Sequence, residues 1–272
     1  MCRVERKSTM GVRSHACLGA ILLMTGFLCE AARAEPVPVR FPQGMTHGFL
    51  VVRSLAGEVL GHGEVIQTVK EGDLVESRLL FDFKDGSVHD ETVEFSQQRM
   101  FTLVRYRLKQ HGPSFPEQLD VSMDRATANY TVRSRDGSDT KEEIKSGDFV
   151  LPKDAYNGML VTVLLNLPKA ASETVNIVSF SPQPQVFKLE LQFQGEQTAR
   201  IGALSRKAFK YVFKPDIGKI REFFGKILGK LPDDFHYECW VLADEVPGFV
   251  RFEGPLQLKG PILRIELVSP GL

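Results

Sequence analysis

The stretch Leu79–Phe95, LLFDFKDGSVHDETVEF, alternates apolar and polar residues on both sides of Asp85-Gly86. A period of two is typical of a β-strand with one buried face, and Asp-Gly suits the positive φ of a tight turn. The pattern predicts a β-hairpin. Similar short runs, separated by polar turns, fill most of the chain before and after it, so we expect a large antiparallel sheet.

The strand with the strictest alternation is predicted at Val186–Gln194, VFKLELQFQ. Its apolar side chains share one face of the strand: Phe187, Leu189, Leu191 and Phe193. Lysine, glutamate and glutamine occupy the other face, which predicts a sheet with one buried and one solvated side. Two further strands are expected after it, at Ala199–Leu204 and Ala208–Phe213.

A helix is predicted where the strand rhythm breaks, after Leu151. Asp154 is a good N-cap residue, and apolar residues that include Met159 and Val163 follow at helical spacing as far as Leu167. Few positions of this helix are polar, so it must be buried on most sides. We therefore predict a mainly β fold: a large antiparallel, curled sheet or unclosed barrel, with this apolar helix as a plug and a second, amphipathic helix.

The second helix is predicted at Ile217–Lys230, IGKIREFFGKILGK. It carries an apolar stripe that contains Phe223 and Phe224, and four basic residues: Lys219, Arg221, Lys226 and Lys230. Helices of this composition lie on anionic membrane surfaces. Two alternatives remain, namely that the stripe packs on the sheet with its lysines in water, or that it binds a protein partner.

The N-terminus has the pattern of a secretory signal. Basic residues precede the apolar run Ala16–Leu28, which ends near the small residues of Ala32-Arg33-Ala34. We predict a signal peptide at 1–34 and a single domain at 35–272, exported to the periplasm or beyond the cell. The run is shorter than the roughly 20 residues that span a bilayer, so a retained anchor is the weaker interpretation. A lipoprotein at Cys29 is weaker still.

Cysteine, charge and motifs exclude several classes of protein. Only Cys239 lies beyond the predicted signal, so no internal disulfide forms, and we expect this thiol to be a buried small apolar side chain. The formal net charge is zero, which gives no electrostatic reason to expect nucleic-acid binding. No zinc-protease, nucleophile-elbow, phosphate-loop or CxxC motif occurs, and we predict no cofactor and no metal site.

The densest polar cluster is His89-Asp90-Glu91, on the predicted hairpin. A two-residue turn at Asp85-Gly86 places Asp82 opposite His89, and a carboxylate beside an imidazole can orient a general base or begin a metal site. A three-residue turn places Phe81 there instead. The turn residues leave both registers open, and the alternative to any chemistry is a solvated strand face with one ion pair.

Several segments resemble an uncharacterised family of exported bacterial proteins of unknown function. They are THGFLVV, LLFDFKDGSVHDETVEFSQQ, HGPSFPEQLDVSMD, LPKDAYNGMLVTVLLN and EGPLQLKGPILRIELVSP. In architecture, many strands around an apolar helix are also similar to the periplasmic lipoprotein-carrier half-barrels. That second resemblance implies an unclosed barrel whose apolar interior holds acyl chains, and it transfers no individual residue.

From these observations we expect an extracytoplasmic, non-enzymatic protein that binds an apolar or lipid-like ligand in the concave face of a β half-barrel. The predicted ligand-binding residues are the apolar members of the strand and the two helices: Phe187, Leu189, Leu191, Phe193, Met159, Val163, Phe223 and Phe224. One alternative is a structural or interaction module of the cell envelope with a filled core. The second is a hydrolase or metal enzyme that uses Asp82, His89 and Asp90.

Overall fold

A computed structural model describes Met1 and residues 36–136, 141–181, 183–202, 204–224, 235–257 and 260–269, without the side chains of 221, 223 and 224. Residues Ala32–Leu272 belong to one compact unit. Apart from Met1, the predicted signal peptide at 1–34 lies outside the described residues, as do its three cysteines.

The described chain consists mainly of strands. They are β1 (Thr46–Ser54), β2 (Val59–Lys70), β3 (Leu74–Phe83), β4 (Val88–Ser96), β5 (Thr102–His111), β6 (Glu117–Asp124), β7 (Asn129–Asp136), β8 (Glu143–Asp148), β9 (Glu173–Ser179), β10 (Gln185–Ile201), β11 (Leu204–Pro215), β12 (Tyr237–Leu242), β13 (Phe249–Gly254) and β14 (Leu263–Val268). Two helices, α1 (Leu160–Asn166) and α2 (Ile217–Phe224), interrupt them.

All fourteen strands form one antiparallel sheet that is not closed into a barrel, which confirms the predicted fold class. The strand order is β8-β7-β6-β5-β4-β3-β2-β1-β14-β13-β12-β11-β10-β9. Strands that follow one another along the chain pair with each other, except β8 and β9, and β1 also pairs with β14. The first and last strands therefore meet in the middle of the sheet, and the edges are β8 and β9.

The sheet curls around α1. One hydrophobic cluster joins residues of β4–β7 from one arm of the sheet with residues of β9–β12 from the other. Between them lie Val163 and Leu164 of α1 and Met159, the residue just before it. A second cluster lies at the middle of the sheet and includes Leu50, Phe81 and Ile265. The concave face thus has one part filled by a helix and another part that no described helix covers.

The Asp85-Gly86 hairpin forms as predicted, with the three-residue turn. Phe81 lies opposite His89, Asp82 lies opposite Val88, and Gly86 takes the positive φ of 83° that the turn requires. Because neighbouring residues of a strand face opposite sides, this register turns His89 inward beside Phe81 and sends Asp82 outward.

The predicted start of the plug helix is wrong. Asp154 does not cap it, since α1 begins only at Leu160 and has no side-chain cap. Gly158 at a φ of 66° breaks any helix through this point. The preceding residues instead extend the sheet: Ala155 forms a parallel bridge with Asn176 of edge strand β9. The burial predicted for the helix is confirmed at Val163 and Leu164.

The strand predicted at Ala199–Leu204 is also wrong as a separate element. Residues 185–201 form the single strand β10, which continues through a bulge between Phe193 and Gly195. Gly195 has a φ of 113°, so the glycine absorbs a kink where the sequence suggested a break.

The amphipathic helix α2 begins where the sequence predicted. Asp216 accepts a hydrogen bond on Oδ1 from the Lys219 backbone N–H at 3.1 Å, and so satisfies an orphan donor of the first turn. Residues 225–230 of the predicted helix lie outside the described residues. Neither described helix is long and apolar enough to cross a bilayer.

Candidate functional site

Most of the predicted ligand-binding residues that the structure describes lie in or against the core around α1: Met159, Val163, Leu189, Leu191 and Phe193. Met159, Val163 and Leu191 are 0% exposed, and Leu189 and Phe187 are nearly so. Phe193 is partly buried, and its ring packs 5.6 Å from that of Tyr211. Most of these residues lie together in one cluster, in which they pack against one another. In the present conformation this part of the concave face is filled by the protein's own side chains.

The predicted membrane-contact residues are only partly within the described chain. Lys219 is exposed and the neighbouring Ile220 is 2% exposed, which agrees with a helix that has one polar and one buried side. The side chains of Arg221, Phe223 and Phe224 lie outside the described residues, and so do Lys226 and Lys230.

The Asp82, His89 and Asp90 cluster does not converge. His89 is 4% exposed on the inner face of β4. Asp90, on the outer face, accepts two hydrogen bonds from the Arg78 guanidinium at 2.9 and 2.8 Å, which hold the pKa of that carboxyl below its usual range. Asp82 is exposed and lies opposite His62. A shared base or metal site from these three residues is therefore not formed.

An apolar groove opens on the middle of the concave face, and we call it the central groove. Its apolar lining comes from β2, β3, β14 and two loops: Leu60, Phe83, Phe115, Leu256, Pro261 and Leu263. Ser114 and Gln257 add polar atoms. The free space is about 40 Å³, which is enough for water but far below the roughly 300–1,000 Å³ of a small-molecule site.

The local sequence explains why the groove forms here. Gly61 and Gly63 lie opposite Phe83 and Phe81, and a Cβ on Gly63 would collide with the Phe81 ring. Gly63 therefore leaves room for the Phe81 ring over β2, and Gly61 allows the close approach of the β3 backbone. A bulge in the pairing of β1 with β2 leaves Leu60 without a partner in β1, so its side chain can line the groove.

A chain of uncharged polar groups borders the central groove. The Gln110 amide nitrogen lies 2.9 Å from His89 Nδ1 and donates to the Leu256 carbonyl at 3.1 Å. The Gln110 amide oxygen accepts from Gln257 Nε2 at 2.8 Å, and Gln257 also donates to the Glu117 carbonyl. Leu256 and Gln257 both line the groove, so the His89–Gln110 pair is tied directly to its wall.

Aromatic rings enclose the His89 imidazole. The ring centroid of Phe81 lies 5.7 Å away and that of Phe115 lies 6.4 Å away. Burial lowers the pKa of His89 to about 4, because the low-polarity surroundings disfavour the imidazolium; the nearby Asp90 charge opposes this shift. The ring is therefore neutral at pH 7. Its Nε2 is buried, and none of the described residues forms a hydrogen bond with it.

A second inward-facing polar pair lies two residues further along β4. Tyr106 donates a hydrogen bond from its hydroxyl to Glu91 Oε1 at 2.9 Å. Burial raises the pKa of Glu91 to about 7, and the Tyr106 hydrogen bond opposes that shift. Burial also raises the pKa of Tyr106 well above its usual value. A carboxyl with a pKa near 7 can donate or accept a proton at neutral pH. Glu91 does not belong to any group of three possible metal ligands among the described residues.

Other chemistry finds no support in the described part of the chain. There is no group of three or more His, Cys, Asp or Glu side chains able to hold a metal ion among the described residues. Cys239 is fully buried, as predicted, and burial raises the pKa of its thiol to about 12. Such a thiol is protonated and inert at neutral pH.

Two glutamines that were not predicted from the sequence hold His89 in place. Gln110 bonds to the imidazole, and Gln257 bonds to Gln110. Gln110 had a detectable signal, because it falls on the inward period of β5 at a position where an apolar residue is expected. Gln257 lies in a loop 147 residues along the chain from Gln110 and carried no such signal.

No protein-family model matches the chain, and comparisons with curated proteins and with solved structures gave no match either. The resemblances inferred from sequence segments therefore stay predictions.

Proposed function

We propose that this chain is an extracytoplasmic, non-enzymatic protein that binds an apolar or lipid-like ligand on the concave face of its unclosed sheet. The observation that carries the proposal is the central groove, an apolar cleft at the middle of that face. Pockets lined mainly by apolar side chains with a few fixed polar groups are the usual form of a small-molecule site.

The groove is a better location than the surface around α1. That surface is already covered, with Met159, Val163 and Leu191 at 0% exposure. The middle of the sheet instead faces loops, and its apolar cluster of Leu50, Phe81 and neighbours continues to the groove lining at Phe83 and Leu263. A ligand placed there would displace loop contacts and leave the packing of the helix intact.

Binding requires the groove to widen, since its present space of about 40 Å³ holds only water. Phe115 is the side chain whose movement does this. It lies on the short loop between β5 and β6, it packs edge-on against Phe83 at 5.8 Å, and it separates the groove from His89. The loop backbone is held independently, by a hydrogen bond from the Ser114 N–H to Ser87 Oγ at 2.8 Å. The ring can therefore swing without unfolding the loop.

Titration with a fluorescent long-chain ester tests the proposal. Leu60→Trp places a larger side chain in the groove, and we expect it to weaken binding at least about tenfold, which corresponds to about 1.4 kcal/mol. Leu204→Trp is the matched control, because Leu204 is 65% exposed and does not line the groove. The proposal is wrong if the wild-type chain binds no ester, or if both variants bind it equally well.

A filled-core structural module of the envelope is the second candidate, and the burial of Met159, Val163, Leu189 and Leu191 favours it. It predicts that the wild-type chain does not bind the ester probe, so the same titration separates the two candidates.

Export and contact of α2 with an anionic membrane remain predictions. The exposed Lys219 beside the buried Ile220 supports the membrane contact.

A further inference from the structure

The hydrogen bonds of Gln110 determine which nitrogen of His89 carries the proton. The Gln110 oxygen accepts from Gln257 Nε2, so the Gln110 nitrogen is the atom that faces both the Leu256 carbonyl and His89 Nδ1. An amide nitrogen only donates, and therefore Nδ1 of the neutral imidazole must accept. The proton then resides on Nε2, which is a donor.

That donor is fully buried, and no acceptor among the described residues pairs with it. A buried donor without an acceptor destabilises a folded protein, so such groups are rare unless something pairs with them. The contact with Gln110 accounts for Nδ1 of the imidazole, because Nδ1 is the acceptor of the Gln110 amide N–H, but it does not account for the second ring nitrogen.

The geometry points to a specific role for this donor: His89 Nε2–H donates a hydrogen bond to the carbonyl oxygen of an uncharged acyl ligand, an ester or amide of a long alkyl chain. This inference rests on the proposed function and names the ligand's polar group. The link to the groove is physical, since Phe115 contacts the imidazole and lines the groove, and Gln257 both lines the groove and holds Gln110.

The charges around His89 select an uncharged acceptor over a carboxylate. The Gln110 amide bonds to the imidazole, and the rings of Phe81 and Phe115 lie beside it; all three side chains are uncharged. The charge that acts on the ring is the carboxylate of Asp90, which is already paired with Arg78, so no net positive charge acts on the ring to balance an anion. A carboxylate buried here would lack a counter-charge, whereas a carbonyl oxygen needs only the one donor.

Competition binding with three ligands of equal chain length tests the inference: methyl decanoate, decanoate and decane, each displacing a fluorescent long-chain probe at pH 8. We expect wild-type protein to bind methyl decanoate about fivefold more tightly than decane, as one hydrogen bond predicts, and decanoate more weakly than the ester. His89→Leu should lose the preference for the ester over decane. His89→Gln, which supplies an amide N–H, should keep part of it.

The outcomes separate this inference from the proposed function. If no compound displaces the probe, or no probe binds, the proposed function fails. If ester and decane bind the wild type equally, if decanoate binds most tightly, or if His89→Leu keeps the ester preference, binding is real but the role of His89 is wrong. Should His89→Leu not fold, ¹⁵N-histidine NMR of the wild type decides: the Nε2–H proton must shift downfield with methyl decanoate and not with decane.

Discussion

Two titratable side chains on the inner face of β4 carry most of the chemistry in the described chain. His89 and Glu91 are separated by one residue, so both point into the concave side, yet burial acts on them in opposite ways. Burial lowers the pKa of His89 to about 4, so the imidazole is neutral above that pH. Burial raises the pKa of Glu91 to about 7, so the carboxyl stays protonated up to near-neutral pH. At slightly acidic pH both groups are uncharged, which suits an interior that receives an uncharged ligand.

Glu91→Gln should alter how stability depends on pH. Because folding raises the pKa of Glu91 from its usual value near 4.5, the folded state holds its proton more firmly, and this contribution is lost as the pH rises from about 4.5 through 7. The variant should therefore be more stable than the wild type at pH 8, with little difference at pH 4.5. Urea denaturation at the two pH values measures this.

His89→Gln is the opposing control for that experiment. The lowered pKa of His89 gives a contribution that is present above about pH 6.5 and is lost as the pH falls towards 4. This variant should therefore lose less stability than the wild type on acidification. If Glu91→Gln changes stability equally at pH 4.5 and 8, the Glu91 carboxyl is not held neutral by burial.

The sequence predicted the type but not the geometry of this residue cluster. It identified His89 as part of the densest polar group, yet either turn length at Asp85-Gly86 was consistent with the residues. A shift of one residue exchanges the two faces of a strand, and the three-residue turn removed Asp82 from His89. The inward period of β5 already distinguished Gln110, but its position opposite His89 followed only from the register of β5 with β4.

At the scale of elements, the segment before α1 protects an edge of the sheet. Asn157 acts as a substitute strand residue, since its amide nitrogen donates to the Val178 carbonyl at 2.7 Å and its oxygen accepts from the Val178 N–H at 2.9 Å. The Tyr156 N–H donates to the Asn176 carbonyl nearby. These bonds cover the backbone groups of β9 that would otherwise invite pairing with another chain.

Asn157→Ala should therefore destabilise the protein by about 2 kcal/mol, since two hydrogen bonds of about 1 kcal/mol each are lost. It should also increase aggregation, because the edge of β9 becomes open. Asn129→Ala, at an exposed position of β7, is the control. Urea denaturation and light scattering are the measurements, and equal stability of the two variants would show that Asn157 does not protect the edge.

Strand identity was predictable from the sequence because a period of two survives in most strands, with β10 the clearest case. Element ends were less predictable. Asp154 has the residue type of an N-cap, but its backbone and side chain bind Asn176, so tertiary pairing with β9 overrides the local preference. Gly195 resembles a strand end and instead forms a bulge within β10.

At the scale of the whole molecule, the pairing of β1 with β14 joins the two halves of the sheet. The two arms then close around α1, and the middle keeps the central groove. The predicted antiparallel sheet with a buried helix is confirmed. The position of the helix on the concave face depends on contacts between residues far apart in the chain, such as Val37 with Tyr156. Local sequence patterns do not encode such long-range contacts.

Native mass spectrometry of the chain, isolated from its producing cells without detergent, tests most directly whether the concave face holds a ligand. We predict a population heavier than the bare chain by the mass of one acyl lipid, which gentle collisional activation releases as an uncharged ester or amide. A spectrum with only the bare mass under the mildest conditions, together with no uptake of added long-chain ester, would contradict the proposal and leave the sheet as a filled structural core.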